Sequence, residues 1–277
     1  MISVIVATMN SAATLERCLD SLHAQRGATF EVLLSDGGSS DGSLDIARAH
    51  PLTLAHCRSG PDGGVYDAWN QVIPAARGEW LMFLGADDVL SGTGTLAETE
   101  KALDTIPASD RESSFAFGTT LFVDGDTVIE RFGEAPLPNG RLDPDRDVPF
   151  SHTGLLHHSS LFDLFGLFDA DFRSAGDYEF LLRTARDEGT RFHHLPLAVA
   201  RMAAGGMSNS AKGRARHYGE MKLARAKLGM DTPGWLTRAA LRSQGLAAAG
   251  RVLPDRQLVG LANIYRSVRG KARRYSL

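Results

Sequence analysis

The chain opens with the stretch ISVIVATMNSAATLERCLDSLHAQ, residues 2–25. Its first part, residues 2–7, is a nearly continuous apolar run of the kind that forms a buried strand. After a short polar loop, apolar side chains recur at helical spacing over residues 12–25. We therefore predict a strand followed by a helix, which is the repeating unit of a parallel α/β sheet.

The same alternation of strands and helices continues to residue 84. Further strands are predicted at residues 31–35, 52–57 and 80–84, and further helices at residues 44–49 and 65–76. Apolar runs without a polar face are typical of strands that helices cover on both sides. The predicted fold class is therefore α/β, with a Rossmann-like, mostly parallel central sheet flanked by helices.

The rest of the chain adds a second set of elements. We predict helices at residues 95–103, 178–186, 211–229 and about 235–250, and strands at residues 114–120, 127–132 and 197–202. Residues 133–151 are rich in proline, glycine and aspartate and lack a clear period, which predicts a long loop near the functional site.

The composition of the chain excludes several classes of protein. Cys18 and Cys57 are the two cysteines among 277 residues, so neither a disulfide framework nor a zinc-binding spacing is present in the sequence. The spacing of His152, His157 and His158 also suits no standard zinc site. The N-terminus lacks the pattern of a signal peptide, and no apolar run reaches about 18 residues. We therefore expect a cytoplasmic protein without a membrane-spanning helix.

The charge of the chain is unevenly distributed. Residues 1–211 hold 15 Lys and Arg against 30 Asp and Glu, whereas residues 212–277 hold 15 against 3. Such a basic segment favours contact with an anionic surface, and scarce aromatic residues disfavour nucleic acid. Two interpretations remain open for the segment. Residues 235–253 fit an interfacial helix on the inner face of the plasma membrane, and they equally fit a helical cap packed on the rest of the protein.

Four loops follow the predicted parallel strands, and all of them are small, polar or acidic. They are residues 8–11, 36–42, 59–64 and 85–88. Ligands of open α/β sheets bind beyond the carboxyl ends of the strands. We therefore expect the functional site at this edge.

The last of these loops carries two adjacent carboxylates, Asp87 and Asp88, directly after a strand. Hard cations such as Mg²⁺ or Mn²⁺ take oxygen ligands and use one or two protein carboxylates together with substrate phosphates. Local sequence fits a helix N-cap equally well.

The second loop begins with Asp36 and Gly37, at the end of the strand 31–35. A tight turn there presents the Asp36 carboxylate to a nucleotide base or ribose. The alternative is turn and cap chemistry, which Asp-Gly pairs favour in general and to which we assign Asp41.

The third loop, Gly60-Pro61-Asp62-Gly63-Gly64, leads into a predicted helix that carries Asp67 and Asn70. Backbone amides and a helix N-terminus are suited to an anion such as a diphosphate. The loop matches neither the P-loop nor the dinucleotide-binding pattern.

Asp177 follows a glycine at the start of a predicted helix. Removing the proton of a sugar hydroxyl during its attack on an anomeric carbon requires a positioned carboxylate, and Asp177 is a candidate for that base. Helix capping is the alternative. Four further residues are candidates for binding the acceptor or a phosphate: His158, Arg183, Arg201 and Ser208.

Five ordered segments between residues 2 and 210 resemble glycosyltransferase family 2, whose members have the GT-A fold. The segments are SVIVATMN (3–10), VLLSDGGSSDG (32–42), SGPDGGVYDAWN (59–70), GEWLMFLGADD (78–88), and GLFD (166–169) with FRSAGDYEFLLR (172–183). The resemblance implies a catalytic domain at residues 1–210 and a basic helical extension at 211–277. Within the catalytic domain, a nucleotide-sugar half covers about residues 1–110 and an acceptor half about residues 111–210.

The resemblance also implies a reaction and the residues that perform it. The reaction is inverting sugar transfer from a nucleotide-diphosphate sugar, most often a UDP-sugar, to a glycan or lipid-linked acceptor in polysaccharide or glycolipid biosynthesis. Asp88 would hold Mg²⁺ or Mn²⁺, Asp87 the ribose, and Asp177 would be the catalytic base. The donor site would further comprise Thr8, Asn10, Asp36, Gly37, Asp62, Gly63, Asp67 and Asn70.

Two departures from the family pattern stand out. The acidic motif reads Ala-Asp-Asp, and Gly176 stands where many relatives have glutamate. Two other functions remain open: a sugar nucleotidyltransferase, against which the absence of a basic glycine-rich triphosphate loop counts, and a non-catalytic nucleotide-sugar-binding scaffold.

Overall fold

The computed structural model describes residues 1–204, 210–249 and 260 of the chain. Within this part, nine strands form one sheet. They are β1 Ile2–Thr8, β2 Phe30–Asp36, β3 His56–Ser59, β4 Trp80–Gly85, β5 Val89–Leu90, β6 Ser114–Asp124, β7 Thr127–Phe132, β8 Leu155–His158 and β9 Arg191–Ala203. Their spatial order is β3-β2-β1-β4-β8-β6-β9-β5, and β7 pairs with β6.

Helices cover both faces of this sheet. The described residues form α1 Leu15–His23, α2 Ser43–Ala49, α3 Val65–Asn70, α4 Thr95–Leu103, α5 Ser160–Phe165, α6 Gly176–Ala185, α7 Ala211–Lys227 and α8 Gly234–Ala249. Helix α1 shows why these segments are helical, because its buried residues Leu15, Cys18, Leu19 and Leu22 recur at a helical period.

The N-terminal part of the sheet is parallel. Strand β1 pairs in parallel with β2 and β4, and β2 pairs in parallel with β3. The carboxyl ends of all four strands therefore meet at one edge. The other half is mixed, since β8 runs antiparallel between β4 and β6 while β6 and β9 are parallel. The predicted α/β class, with a largely parallel centre and flanking helices, is confirmed.

The core has two layers because successive side chains of a strand point to opposite faces. Ile5 and Phe83 face a cluster formed with α3, α6 and the C-terminal helices, whereas Val4 and Met82 face a cluster formed with α1 and α4. Strands β1 and β4 thus each contribute buried residues to both layers.

The C-terminal helices pack against the rest of the described protein. Met221 of α7 and Leu236 of α8 are buried in the same cluster as Tyr178 of α6. The Nε1 group of Trp235 donates a hydrogen bond to the carbonyl oxygen of Asp145, at 2.8 Å. Trp235 and Leu236 therefore face inward and pack on the rest of the described protein. The basic residues from position 251 onward lie outside the described residues.

The long loop at residues 133–151 has a short 3₁₀ turn at Pro138–Gly140 and otherwise no helix or strand. Its ends are held together because the amide of Gly133 donates to the carbonyl oxygen of Pro149. In the part of the chain described here, no helix has both the length and the apolar character needed to cross a membrane.

Candidate active site

The loops after β1, β2 and β3 are in contact at the carboxyl edge of the sheet. Thr8 and Asp36 are partners in the register of β1 and β2, and the amide of Gly37 donates to the carbonyl oxygen of Thr8, at 2.9 Å. A Cβ atom built on Gly37 would lie 2.7 Å from Oδ2 of Asp62. A side chain at residue 37 would displace the Asp62 carboxylate, so the glycine allows the second and third loops to approach each other as closely as they do.

Asp36 organises the second loop from inside. Its carboxylate is fully buried and accepts hydrogen bonds from the hydroxyls of Ser39, at 2.5 Å, and Ser59, at 2.6 Å. Burial would raise the pKa of Asp36, but these bonds and those from the amides of Ser39 and Gly38 outweigh it and lower the pKa. The ionised carboxylate fixes the shape of the loop, and its contact with a nucleotide base or ribose stays a prediction.

The first loop offers one buried polar group without a partner. The hydroxyl of Thr8 is buried and makes no hydrogen bond, although it stands at the end of β1 beside Asp36. Asn10 has a φ of 49°, and its Oδ1 accepts a hydrogen bond from the amide of Ser40, at 2.9 Å. An orphaned hydroxyl at a strand end is consistent with a ligand that completes its hydrogen bonding.

Two amides of the third loop bond to carboxylates of the loop and of the following helix α3. Asp67 accepts a hydrogen bond from the amide of Gly63, at 2.7 Å, and Asp62 accepts one from the amide of Gly64, at 2.8 Å. These two amides are therefore already bonded, which differs from the expectation that the loop's amides meet a diphosphate directly. Asn70 holds residue Phe168 through both ends of its side-chain amide, at 2.8 and 3.1 Å.

The acidic pair lies where β4 ends. Asp88 is 6% exposed, and Asp87 is half-buried. Burial, reinforced by the negative charge of Asp87, raises the pKa of Asp88 to about 7, although hydrogen bonds from Gly85 and Thr153 oppose the shift. A cation bound beside these two carboxylates would offset the cost of holding them together.

The residues at this position fit a divalent cation that is completed by substrate phosphates. In the described part of the chain, no group of three or more histidine, cysteine or acidic residues could enclose a metal ion. Mg²⁺ commonly uses one or two carboxylates and takes its remaining ligands from phosphates and water. The donor set of Asp87 and Asp88 therefore suits a hard cation that arrives with a nucleotide.

Asp177 is brought to the third loop by a contact between residues 111 positions apart. The hydroxyl of Tyr66, in α3, donates a hydrogen bond to Oδ1 of Asp177, in α6, at 2.8 Å. A Cβ atom on Gly176 would lie 2.8 to 2.9 Å from atoms of the Tyr66 ring. The glycine that departs from the family pattern thus makes room for the tyrosine that reaches Asp177.

The four acceptor candidates have different surroundings. His158 pairs with Trp80 at the start of β4, so it lies toward the opposite edge of the sheet from Asp88. The guanidinium of Arg183 bonds to Glu179 and to the carbonyl oxygens of Phe165 and Leu167. The structure thus separates His158 from the acidic pair and gives Arg183 a packing role.

Arg201 lies across from Val89 in the pairing of β9 with β5, one residue beyond Asp88. It is therefore the acceptor candidate that the structure brings to the acidic pair. Ser208 lies outside the described residues.

Two residues that shape the site could not be identified from the sequence. Thr153 bonds to Asp88, at 3.2 Å, and Glu220 of α7 bonds to three backbone amides just before α6. Both residues act across long sequence separations. Arg173 could have been identified from the sequence, because it is a basic residue four positions before Asp177 in the acidic region of residues 1–211.

Comparison with known proteins gives a consistent result. Residues 3–110 match the model of glycosyl transferase family 2. The PGL/p-HBAD biosynthesis glycosyltransferase of Mycobacterium bovis is 33% identical over 222 residues, covering 76% of this chain and 80% of that protein. An uncharacterized glycosyltransferase of Mycobacterium tuberculosis is 35% identical over 186 residues, covering 66% of this chain and 68% of that protein.

Solved structures share the fold. TarS of S. aureus, residues 1–349 in complex with UDP-GlcNAc, matches with a TM-score of 0.63 and 21% identity over 88% of this chain and 71% of that one. The mannosyltransferase PcManGT of Pyrobaculum calidifontis, in complex with GDP-Man and Mn²⁺, matches with a TM-score of 0.57 and 21% identity over 96% of this chain and 79% of that one. The predicted GT-A fold is confirmed.

Proposed function

The chain belongs to glycosyltransferase family 2, and we propose that it transfers a hexosyl or N-acetylhexosaminyl group from a UDP-sugar, with inversion, to a glycan or lipid-linked acceptor. The observation that carries this proposal is the hydrogen bond between Tyr66 and Asp177. It ties a carboxylate of the acceptor half to the helix that follows the third donor loop. This contact supports a site in which the proposed base and the proposed donor loops lie at one edge of the sheet.

The donor half of the site is assigned to the four strand-end loops. Thr8, Asn10, Asp36 and Gly37 form the walls of the nucleoside pocket, where the unpartnered Thr8 hydroxyl supports a bound ligand. Residues 62–70 of the third loop and α3, with Asp62, Gly63, Asp67 and Asn70, complete the donor site. Asp87 accepts hydrogen bonds from the ribose.

A divalent cation, Mg²⁺ or Mn²⁺, is assigned to Asp88. When bound, it would neutralise the charge that develops on the diphosphate leaving group. A structural neighbour, PcManGT, was solved with GDP-Man and Mn²⁺, which supports a metal in this position.

Asp177 is assigned as the catalytic base. It removes the proton of the acceptor hydroxyl while the oxygen attacks the anomeric carbon on the face opposite the diphosphate. A single displacement of this kind inverts the anomeric centre. The Tyr66 bond occupies Oδ1 of Asp177, which leaves Oδ2 to accept the proton.

The test is the release of nucleoside diphosphate from a panel of nucleotide sugars, measured with Mg²⁺, with Mn²⁺ and with chelator. Asp88→Asn and Asp177→Asn should each reduce the rate by about two orders of magnitude or more. Asp163→Asn, an exposed acid on α5, is the matched control and should keep full activity. Full activity of both site variants in folded protein would exclude the assignment, and nucleotide-sugar binding without product release would indicate a scaffold.

We further propose that the protein works at the cytoplasmic face of the plasma membrane, in cell-surface polysaccharide or glycolipid biosynthesis. The role of its relative from Mycobacterium bovis in PGL/p-HBAD biosynthesis supports this setting. Residues 1–210 are assigned as the catalytic domain and residues 211–277 as the basic extension. Leu223 of α7 is 50% exposed and Leu241 of α8 is 63% exposed, so both can contact lipid.

Sedimentation with anionic and with neutral liposomes tests the membrane contact. We expect binding to anionic liposomes at low salt, and weaker binding as salt screens the basic residues. The double variant Leu223→Gln with Leu241→Gln should reduce binding, whereas Leu164→Gln, an equally exposed leucine on α5, should not. A lack of binding at low salt would exclude the membrane contact.

A further inference from the structure

A guanidinium lies directly over the third donor loop. Arg173 is an exposed residue of the segment that leads into α6. A Cβ atom built on Gly64 would lie 2.7 Å from its Nη1 atom and 3.3 Å from its Cδ atom. The side chain of Arg173 therefore crosses the loop at the glycine where the chain enters α3.

This guanidinium has no acceptor in the described protein. No hydrogen bond or ion pair of the described residues engages the side chain of Arg173, while its backbone amide bonds to Glu220, at 3.0 Å. Asp62 lies in the same loop and Asp67 in the first turn of α3, but their carboxylates bond to the amides of Gly64 and Gly63, respectively. The guanidinium of arginine carries five N–H donors, and those of Arg173 are therefore available to a ligand.

The positive charge of Arg173 lies in a predominantly acidic part of the chain. The first 211 residues carry twice as many acidic as basic side chains, 30 against 15. The two amides of the third loop that could have received an anion are already bonded to carboxylates. Any phosphate oxygen that approaches this loop therefore meets Asp62 and Asp67 unless a cation intervenes. Two guanidinium groups reach the loop: that of Arg58, at Gly60, donates a hydrogen bond to the hydroxyl of Ser35, whereas that of Arg173, at Gly64, has no acceptor among the described residues.

We propose that Arg173 binds a phosphoryl group of the substrate over the loop of residues 60–64. Arginine suits this task, because its planar fork donates two parallel hydrogen bonds to phosphate oxygens. The proposal rests on the glycosyltransferase function proposed above. Two sources can present the same chemistry, the diphosphate of the nucleotide sugar and the phosphate of a lipid-phosphate acceptor.

The position of Arg173 also links the bound phosphoryl group to Asp177, the proposed base. The segment that carries it continues into Asp177, and the hydroxyl of Tyr66, two residues after Gly64, bonds to Asp177. A phosphate held by Arg173 would therefore hold the third loop against the start of α6. Substrate binding and placement of the base are coupled through the same contact.

The experiment compares the unmodified chain with Arg173→Gln and Arg173→Lys. Because Glu220 holds residue 173 through the backbone, these substitutions leave that contact in place. Binding of uridine, UMP, UDP and inorganic pyrophosphate is measured by calorimetry in the presence of Mn²⁺, followed by the KM values for donor and acceptor. Arg238→Gln, an exposed arginine of α8, is the matched control.

For Arg173→Gln we expect the Kd of UDP and of pyrophosphate to rise about tenfold, with the Kd of uridine unchanged. Arg173→Lys should give an intermediate value, since it keeps the charge without the fork. A rise confined to the KM of a phosphate-bearing acceptor would identify the acceptor as the source. Unchanged Kd and KM values in Arg173→Gln would overturn the proposal, and so would an unmodified chain that binds neither UDP nor pyrophosphate.

The two proposals fail in different ways. If the unmodified chain releases no diphosphate from any nucleotide sugar, the proposed function fails whatever Arg173 does. If it does release diphosphate, and Arg173→Gln matches it in every constant, only the role of Arg173 fails. Loss of pyrophosphate binding in Arg173→Gln supports a phosphate site even where the donor carries another base.

Discussion

At the scale of single residues, Tyr66 controls how Asp177 is presented. The tyrosine is 3% exposed, and burial together with the charge of Asp177 raises its pKa well above the ordinary value of 10.0. Its hydroxyl therefore stays protonated at neutral pH and donates to the carboxylate. A hydrogen bond to a charged group contributes about 1.5 to 3 kcal/mol, which is enough to fix the rotamer of a base.

Tyr66→Phe should lower kcat about tenfold with little change in KM, because it frees the Asp177 side chain to rotate while keeping the packed ring. The ring contacts with Trp69 and Phe168 remain, so the thermal unfolding temperature should change little. Steady-state kinetics and thermal unfolding provide the measurements. Tyr178→Phe removes a buried hydroxyl of α6 that does not touch Asp177 and should leave kcat unchanged, and an unaltered kcat in Tyr66→Phe would refute the positioning role.

The buried residue His157 makes the free energy of unfolding depend on pH. Its ring is buried between Phe83 and Phe115, each with a centroid distance of 5.1 Å. Burial, and then the neighbouring His152, lowers the pKa of His157 well below the usual 6.5. The folded protein therefore keeps this histidine neutral at a pH at which the unfolded chain protonates it.

His157→Leu should weaken the loss of stability in acid. As the pH falls below 6.5, the unfolded chain takes up a proton that the folded chain refuses, so the free energy of unfolding falls by up to about 1.4 kcal/mol per pH unit. This contribution vanishes in the variant. Urea unfolding between pH 7.5 and 5.5, about one unit on either side of that pKa, measures it. His23→Leu, at an exposed position, should follow the unmodified protein, and identical slopes for His157→Leu and the unmodified chain would contradict the prediction.

At the scale of secondary-structure elements, α7 fixes the start of α6. One oxygen of Glu220 accepts hydrogen bonds from the amides of Arg173, Ser174 and Ala175, at 3.0, 2.7 and 3.0 Å. A carboxylate at this end also interacts favourably with the helix dipole. Helix α7, which carries none of the family's motifs, thereby sets the place where Asp177 begins its helix.

Glu220→Ala should lower kcat about tenfold and raise the donor KM much less. The reason is that the three amides just before α6, which carries Asp177, lose their hydrogen-bond acceptor. Glu220→Gln retains one acceptor oxygen and should recover part of the activity, which a purely global loss of stability would not show. Lys222→Ala, at an exposed site on the same helix, is the control. Steady-state kinetics provides the measurement, and circular dichroism checks that each variant is folded. A Glu220→Ala variant with unchanged kcat would rule out a role of Glu220 in positioning α6.

Element boundaries could be predicted where local chemistry is strong. Helix α4 and strand β7 have the bounds Thr95–Leu103 and Thr127–Phe132, as the sequence predicted, because side-chain periodicity and flanking glycines define them. The hydrogen-bond partners of the amides in the third loop could not be predicted in this way. Whether a loop amide bonds to a ligand or to its own Asp62 depends on side-chain rotamers, which no periodicity encodes.

At the scale of the whole molecule, the position of the site followed from the sheet. Parallel strands that end in Thr8, Asp36 and Gly85 must bring their loops to one edge, so the sequence alone placed the donor candidates together. The strand order beyond β4 was less accessible, because β8, β6 and β9 pair across more than 30 residues of chain. His158 was therefore assigned near the site although the register of β8 carries it away.

The basic C-terminal extension consists of a part that packs and a part beyond the described residues, and two truncations separate their roles. Removing residues 210–277 takes away Leu236, Met221 and the buried Arg225, whose guanidinium bonds to the carbonyl oxygen of Pro144 and to Asp145. Loss of a single buried leucine costs about 2 to 5 kcal/mol, so this deletion should prevent stable folding. Removing residues 250–277 breaks none of the described hydrogen bonds and should leave the unfolding temperature within a few degrees of the full chain.

The second truncation also removes all of the basic residues that lie beyond α8. It should therefore keep nucleotide-sugar turnover with a soluble acceptor while its binding to anionic liposomes falls. Thermal unfolding, diphosphate release and sedimentation on the same three proteins provide the comparison. A stable and active protein after removal of residues 210–277 would show that α7 and α8 do not complete the core and that α7 does not position α6, because Glu220 of α7 and Leu236 of α8 would then be dispensable.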